Sequence, residues 1–336
     1  MEEIAALAGV SKSTVSRTLH SPHLVHPKTR HSILQLMEER GYVYNATAAD
    51  LSKKKSTVIG VLIPTNRHVA FGTTAFGILE AAEAAGFSVI IANTGFDHLS
   101  EERLLRRFCE RQVAGLILTG FTPGLESTIR QLSTQALPAV VIWEKLDVSD
   151  ISYIGFDNYR ASCSVTEYLI SLGHKDIALI IGPYSKVGRV RKRLEGYTDT
   201  LHKHGIHFDR SMVFERDPVM MAGKEAMARL LALSTRPTAV FAASDDLAIG
   251  AMAAAREAGL RIPEDISVAG FDDVDYASYS NPPLTTVRVP AYEMGKMAVE
   301  FLSQVMSGKA GEVRQYCLDT DLIIRHSCAP LQTKAY

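Results

Sequence analysis

The sequence predicts an α + α/β protein: an N-terminal helix-turn-helix unit, then a core of two doubly wound parallel α/β subdomains. Three observations predict it. Residues 1–40 space their apolar side chains only at helical intervals, continuous apolar strands alternate with helices from Thr57 onward, and that alternation runs through two successive series.

The headpiece is organised around Gly9-Val10-Ser11-Lys12-Ser13-Thr14-Val15-Ser16-Arg17-Thr18-Leu19. Gly9 can take the positive φ of a tight turn between helices, and Ser11 is placed to cap the helix that follows. Val15 and Leu19, four apart, face inward and leave Lys12, Ser13, Ser16 and Arg17 outside. Arg and Lys donate to guanine edges and hydroxyls to phosphates, so this face suits a DNA major groove. Taken alone, it suits an amphipathic surface helix equally well.

Before this stretch, Glu2 to Ala8 makes a short helix with Ile4, Leu7 and Ala8 as its apolar stripe. No Ser, Thr, Asp or Asn stands before it to cap its N–H groups, so either a true start a few codons upstream of Met1 or trimmed ends are expected. A third helix runs from about Pro27 to Arg40 with Ile33, Leu34 and Met37 facing inward and Gly41 ending it. Tyr42 to Leu51 can become a short helix, and Ser52-Lys53-Lys54-Lys55-Ser56 reads as a linker.

From Thr57 the texture changes. Strands at 58–63, 88–92, 115–118 and 139–142 alternate with helices at 72–86 and 101–111, and a further helix is expected between 118 and 139. A second series begins at 153–156 and continues through strands at 177–181, 238–242 and 266–271, with helices at 159–172, 189–204 and 246–258. Apolar strands separated by helices mean parallel sheet covered on both faces. Ligands in such sheets sit outside the carboxyl ends of the strands, so two such domains in series leave a cleft.

Composition narrows the class. The 336 residues are 46 % hydrophobic and 22 % charged, as expected for an ordinary globular protein, with a net charge of −1. That balance is uneven, because residues 1–55 carry eight Lys and Arg against five acids, about +3, plus four histidines. Cys109, Cys163, Cys317 and Cys328 lack ligand spacing, so neither a zinc site nor a disulfide framework is expected. No apolar run approaches a membrane span and no signal peptide is evident, which predicts a cytoplasmic protein with no membrane partner.

Beyond these patterns, the chain resembles the lactose and galactose repressor (LacI/GalR) family of transcription regulators over essentially its whole length, with the gluconate repressors as one candidate subtype. The matching residues include Ile4 to Ser11 with Thr14-Val15-Ser16-Arg17, Lys28-Thr29-Arg30, Gly41-Tyr42, Asn45-Ala46, Leu51 and Ile59-Gly60-Val61. They continue through Asp157-Asn158, Gly173-His174, Arg193 to Tyr197, Ser244-Asp245-Asp246, Gly270 to Asp273 and Pro283 to Thr286. The resemblance implies a headpiece over 1–44, a hinge helix and linker over 45–56, and a core like that of periplasmic sugar-binding proteins. The core N-subdomain would comprise 57–157 plus 288–316, the C-subdomain 158–287 plus 317–330, and 331–336 a tail.

By the same resemblance, Lys12, Ser13 and Arg17 would read bases, while Ser11, Thr14, Ser16 and Thr29 would touch phosphates, with Asn45 also in the DNA-binding set. Thr14 and Thr29 serve equally as caps or solvated side chains. Leu51 would wedge into the minor groove or pack against a partner hinge, and its neighbours Asp50 and Ser52 give it little local core to join. For an effector, the pattern points to Arg193, whose fork suits vicinal hydroxyls or a carboxylate, and to Asp272. Ser244, Asp157, His68 and Phe71 join that set, with Asp157 and Asn158 alternatively helix caps. Trp143 would stack on a sugar ring or fill the core. His26 stands where a Ser or Asp usually caps the third helix.

These implications predict a repressor of a carbohydrate or sugar-acid utilisation operon, acting as a homodimer on a pseudo-palindromic double-stranded operator. An effector such as a sugar or gluconate would bind one arrangement of the subdomains better and so set operator affinity. Alternatives are a purine- or other metabolite-responsive regulator and a sugar-binding receptor without DNA function. An enzyme is not expected, since no nucleophile–base cluster, GxGxxG or phosphate loop appears, and no cofactor or metal is called for.

Overall fold

The computed structural model describes residues 1–42, 56–120, 137–308 and 313–332. The chain divides into two compact units, Met1–Ser56 and Thr57–Tyr336. Asn45, Leu51 and the expected hinge helix, like the expected helix between 118 and 139, lie outside the described residues.

The first unit holds α1 (Glu2–Leu7), α2 (Lys12–His20) and α3 (Pro27–Glu39), with a single 3-10 turn at Pro22–Leu24. Gly9 has φ +63°, as the turn between α1 and α2 requires. Ser11 caps α2, its Oγ accepting from Thr14 N at 3.2 Å. His26 also caps α3: its Nδ1 accepts from Lys28 N at 3.4 Å, so an imidazole fills the place of the usual hydroxyl or carboxylate.

Ile4, Ala5, Val15, Ile33 and Met37 form the buried centre, with Ala8 and Leu19 partly buried against it. Leu7 and Leu34, expected inside, are instead exposed. The inward lines are the i, i+4 pairs Ile4–Ala8, Val15–Leu19 and Ile33–Met37, and a residue next to such a line turns about 100° away from it. Among the described residues, no further α-helix covers that second flank.

The second unit contains two parallel sheets. In the N-lobe, β1 (Val58–Ile63), β2 (Ser88–Asn93), β3 (Gly115–Thr119), β4 (Ala139–Ile142), β5 (Tyr153–Phe156) and β11 (Gln315–Leu318) lie in the order β2-β1-β3-β4-β5-β11. Helices α4 (Val69–Ala84), α5 (His98–Glu110) and α11 (Ala291–Met306) belong to this lobe. In the C-lobe, β6 (Ile177–Ile181), β7 (Val213–Glu215), β8 (Ala239–Ala242) and β9 (Ser267–Ala269) lie in the order β7-β6-β8-β9. Its helices are α6 (Asn158–Ser171), α7 (Gly188–Lys203), α8 (Met220–Leu231), α9 (Asp245–Glu257) and the short α10 (Asp275–Tyr279).

An antiparallel ribbon of β10 (Thr286–Arg288) and β12 (Asp321–Ile323) joins the C-lobe edge through bridges Ala269–Thr285 and Asp272–Arg288. The expected boundaries at 287/288 and 316/317 cut strands, because Arg288 pairs with Asp321 and Cys317 and Leu318 pair with Gly155 and Phe156. The chain therefore changes lobe after β5, after β10 and after β11.

Strands such as Gly115–Thr119 and Ile177–Ile181 are buried along their whole length, as parallel strands covered on both faces must be. Two glycines bring α4 and α11 into backbone contact: a Cβ on Gly77 would strike Tyr292 O, and one on Gly295 would strike Thr74 O. Because the strands within each of the two larger sheets are all parallel, the loops that follow β3, β4, β5, β8 and β9 emerge at carboxyl ends, and these loops build the cleft.

Candidate nucleic-acid interface and effector cleft

On the headpiece, α2 turns Lys12, Ser13 and Arg17 to solvent and leaves Thr14 and Ser16 half-buried. Thr29, in the first turn of α3, is also half-buried. The Ser11 hydroxyl lies 2.7 Å from Ser13 Oγ and 2.9 Å from Thr14 Oγ1, so it belongs to a local hydroxyl cluster as well as to the cap. Lys12 Nζ donates to Glu2 Oε1 at 2.8 Å, a contact that raises the Lys12 pKa and lowers that of Glu2. Glu2 carried no sequence signal, because its partner sits ten residues away on another helix.

In the core, the cleft is built from α7 on the C-lobe side and the carboxyl ends of N-lobe strands on the other. Arg193 is buried, with Nε donating to Asn158 Oδ1 at 2.8 Å and Nη1 to Ala243 O at 2.8 Å. Its guanidinium lies 3.8 Å from the centroid of the Phe271 ring. Burial pulls its pKa down to about 10 in spite of Asp272.

Asp272 is buried at φ +114°, a backbone region that side chains rarely adopt and that costs about 1–3 kcal/mol. His68 Nε2 lies 3.1 Å from Asp272 Oδ2, close enough for an ion pair but without hydrogen-bond alignment. Both Asp272 oxygens, His68 Nδ1 and Thr119 Oγ1 consequently have no hydrogen-bond partner among the described residues. Buried polar atoms of this kind ordinarily find one.

The other expected effector residues hold the walls. Phe71 packs edge-on against Trp143 with centroids 4.9 Å apart. Trp143 is 1 % exposed and donates its indole N–H to Thr74 Oγ1 at 3.0 Å, so its ring fills the core rather than offering a face for stacking. Ser244 caps α9 by accepting from Leu247 N, and Asp157 caps α6 by accepting from Arg160 N. Burial raises the Asp157 pKa, but the Arg160 N–H and Lys145, 3.1 Å away, outweigh it and leave the value low. Asn158 does more than start a helix, since it also donates to Trp143 O at 2.9 Å and so ties that wall to Arg193.

Sequence reasoning missed Arg189. One turn before Arg193, it is buried, donates Nη1 to Thr119 O at 2.9 Å across the cleft and lies 5.6 Å from the Phe71 centroid. Gly120, at φ +65°, makes room for it, because a Cβ there would run into Arg189 Nη1. The Arg-x-x-x-Arg spacing on one helix face was the available signal. A hollow of about 190 Å³ opens beside it, bounded by Glu144, Lys145, Asp147, Asp157, Tyr159 and Lys192 among others.

A helix-turn-helix unit carried on the same chain as a two-lobed core with a polar cleft defines the class of ligand-responsive DNA-binding regulators. Residues 1–45 match the model of bacterial regulatory proteins of the lacI family, and residues 166–328 match that of the periplasmic binding protein-like domain. The transcriptional regulator DegA of Bacillus subtilis is 32 % identical over 336 residues, 98 % of each chain.

Among solved structures, the lac repressor dimer bound to operator and the anti-inducer ONPF is 30 % identical with a TM-score of 0.82, covering 97 % of this chain and 98 % of that one. The CelR–cellobiose complex is 30 % identical with a TM-score of 0.72, covering 96 % and 98 %. The chain belongs to the LacI family and is a DNA-binding transcription regulator. That family consists of regulators, not enzymes, and no helix among the described residues is long and apolar enough to cross a membrane.

Proposed function

We propose that this protein is a cytoplasmic homodimeric repressor of carbohydrate or sugar-acid utilisation genes, whose hold on a pseudo-palindromic operator changes when a sugar or a sugar acid such as gluconate enters the core cleft. The observation that carries the effector class is the cleft itself: Arg193 laid flat on Phe271, facing Asp272, whose two carboxylate oxygens accept no hydrogen bond among the described residues. An Arg fork and a carboxylate together match the alternating acceptors and donors of vicinal hydroxyls. CelR, with cellobiose in its solved structure, supports the same class.

Lys12, Ser13 and Arg17 read base edges, Ser11, Thr14, Ser16 and Thr29 set register on phosphates, and Asn45 and Leu51 complete the contact near the operator centre. His68, Asp157, Ser244, Phe71 and Trp143 shape the cleft around Arg193 and Asp272. Pairing of two chains is supported by Phe76 and Leu79 on α4, Ile90 and Ile91 on the edge strand β2, and Leu99, all large apolar side chains left exposed. The effector acts because it binds one arrangement of the lobes better than the other.

Selection from random duplexes tests the DNA half and should return a two-fold symmetric site. A thermal-shift panel of gluconate, glucose, ribose, cellobiose, adenine and guanine tests the effector half. Stabilisation by a purine alone would overturn the carbohydrate reading.

A further inference from the structure

Arg189 and Arg193 lie four residues apart on α7, so their side chains leave the same helix face. Both are buried, and each lies against a different aromatic ring, Phe71 for Arg189 and Phe271 for Arg193. Gly120 is shaped around Arg189, since any side chain there would displace the guanidinium. Among the described residues, two of the five Arg193 donors are engaged, by Asn158 and Ala243. Its other three donors hydrogen-bond to no described residue.

We propose that Arg189 and Arg193 together read a carboxylate, so that the cleft selects a polyhydroxylated carboxylate over the corresponding neutral sugar. The inference rests on the carbohydrate reading above and narrows it. Two guanidinium groups on one face match the two oxygens of a carboxylate, while Asp272, Thr119 Oγ1 and His68 Nδ1, which lack hydrogen-bond partners among the described residues, can serve hydroxyls.

Charge points the same way. Glu144, Glu101 and Asp272 act favourably on Arg189, and Asp272 on Arg193, yet burial still draws both guanidinium pKa values down. Burial and, for Arg193, the neighbouring Arg189 disfavour the charged guanidinium, and a ligand anion favours it where a neutral sugar does not.

Calorimetric titration of the full chain with matched pairs, gluconate and glucuronate against glucose, and galacturonate against galactose, tests this. At least one acid should bind about 10- to 100-fold tighter than its neutral partner, as charge-assisted bonds imply. Arg189→Met should erase that preference, bringing the acid-to-neutral affinity ratio close to one, and Arg189→Lys should restore part of it. Equal or tighter binding of the neutral partner by the unaltered protein overturns the proposal, whether or not the Met variant folds. So does an acid preference that survives in Arg189→Met. Binding of adenine or guanine in place of every carbohydrate would overturn the broader reading and this one with it.

Discussion

Asn158 holds Arg193 from one side and Trp143 from the other: its Oδ1 accepts from Arg193 Nε at 2.8 Å while its Nδ2 donates to the Trp143 carbonyl at 2.9 Å. One buried amide thus fixes a guanidinium of the C-lobe against the wall of the N-lobe. Asn158→Ala strands both partners in the interior and should cost about 1–3 kcal/mol. A lower urea midpoint with an unchanged slope checks this. Asn158→Asp should be tolerated better in the cleft, because a carboxylate still accepts from Arg193.

Gly120→Ala should destabilise the core through two separate effects. A positive φ on a residue with a Cβ costs about 1–2 kcal/mol, and the new methyl displaces Arg189. In the double variant with Arg189→Met only the first effect should remain. Unfolding free energies of the two single variants and the double variant form the cycle, and strict additivity would show that Gly120 does not make room for Arg189.

His174 makes the core sensitive to mild acid. Its Nδ1 lies 3.0 Å from Thr238 Oγ1 and its Nε2 3.0 Å from Ser267 Oγ, and burial lowers its pKa despite the Ala329 carbonyl. Between that lowered value and the unfolded value near 6.5, only the unfolded chain takes up the proton. The stabilisation is therefore complete above about pH 6.5 and declines as pH falls through the lowered pKa. Melting temperature followed from pH 7.5 to 5.5 should fall more steeply for the unaltered protein than for His174→Gln, which should be less stable at the neutral end.

Glu2→Gln should free the Lys12 ammonium and remove an anion from the reading face. Exposed pairs of this kind contribute little to folding, so stability should hold. Affinity for every duplex should rise a few-fold at low salt, and the gain should vanish near 1 M salt, where screening is nearly complete. Arg17→Ala, by contrast, should relax preference at one base pair in each half-site.

The fold was largely legible because its signals are local. Gly9, Ser11 and the Val15–Leu19 spacing gave the headpiece turn, and fully apolar stretches such as Ile177–Ile181 gave the parallel strands. The helices α8 and α11 were missed; both start without a side-chain cap, at Val219 and Pro290, but so do α4 and α7, which were found. Of the site, Arg193 and Asp272 came from resemblance, and the structure brings both into one cleft. Arg189, Gly120 and the Glu2–Lys12 pair depend on contacts between distant segments, which no spacing along the chain records. The Trp143 environment was illegible for the same reason, since Thr74, which takes its indole proton, belongs to another element.

The late return of the chain to its first lobe sets an order of assembly. The C-lobe sheet has all four strands once residue 269 has been made, whereas the N-lobe, begun at residue 58, still awaits α11 and the edge strand β11. During synthesis the lobe that starts first therefore completes its sheet last. Its helix α4 keeps Gly77 and Thr74 uncovered until residues 291–306 arrive to meet them, and a ribosome stalled before that point would hold a complete four-stranded C-lobe sheet beside an open-faced N-lobe.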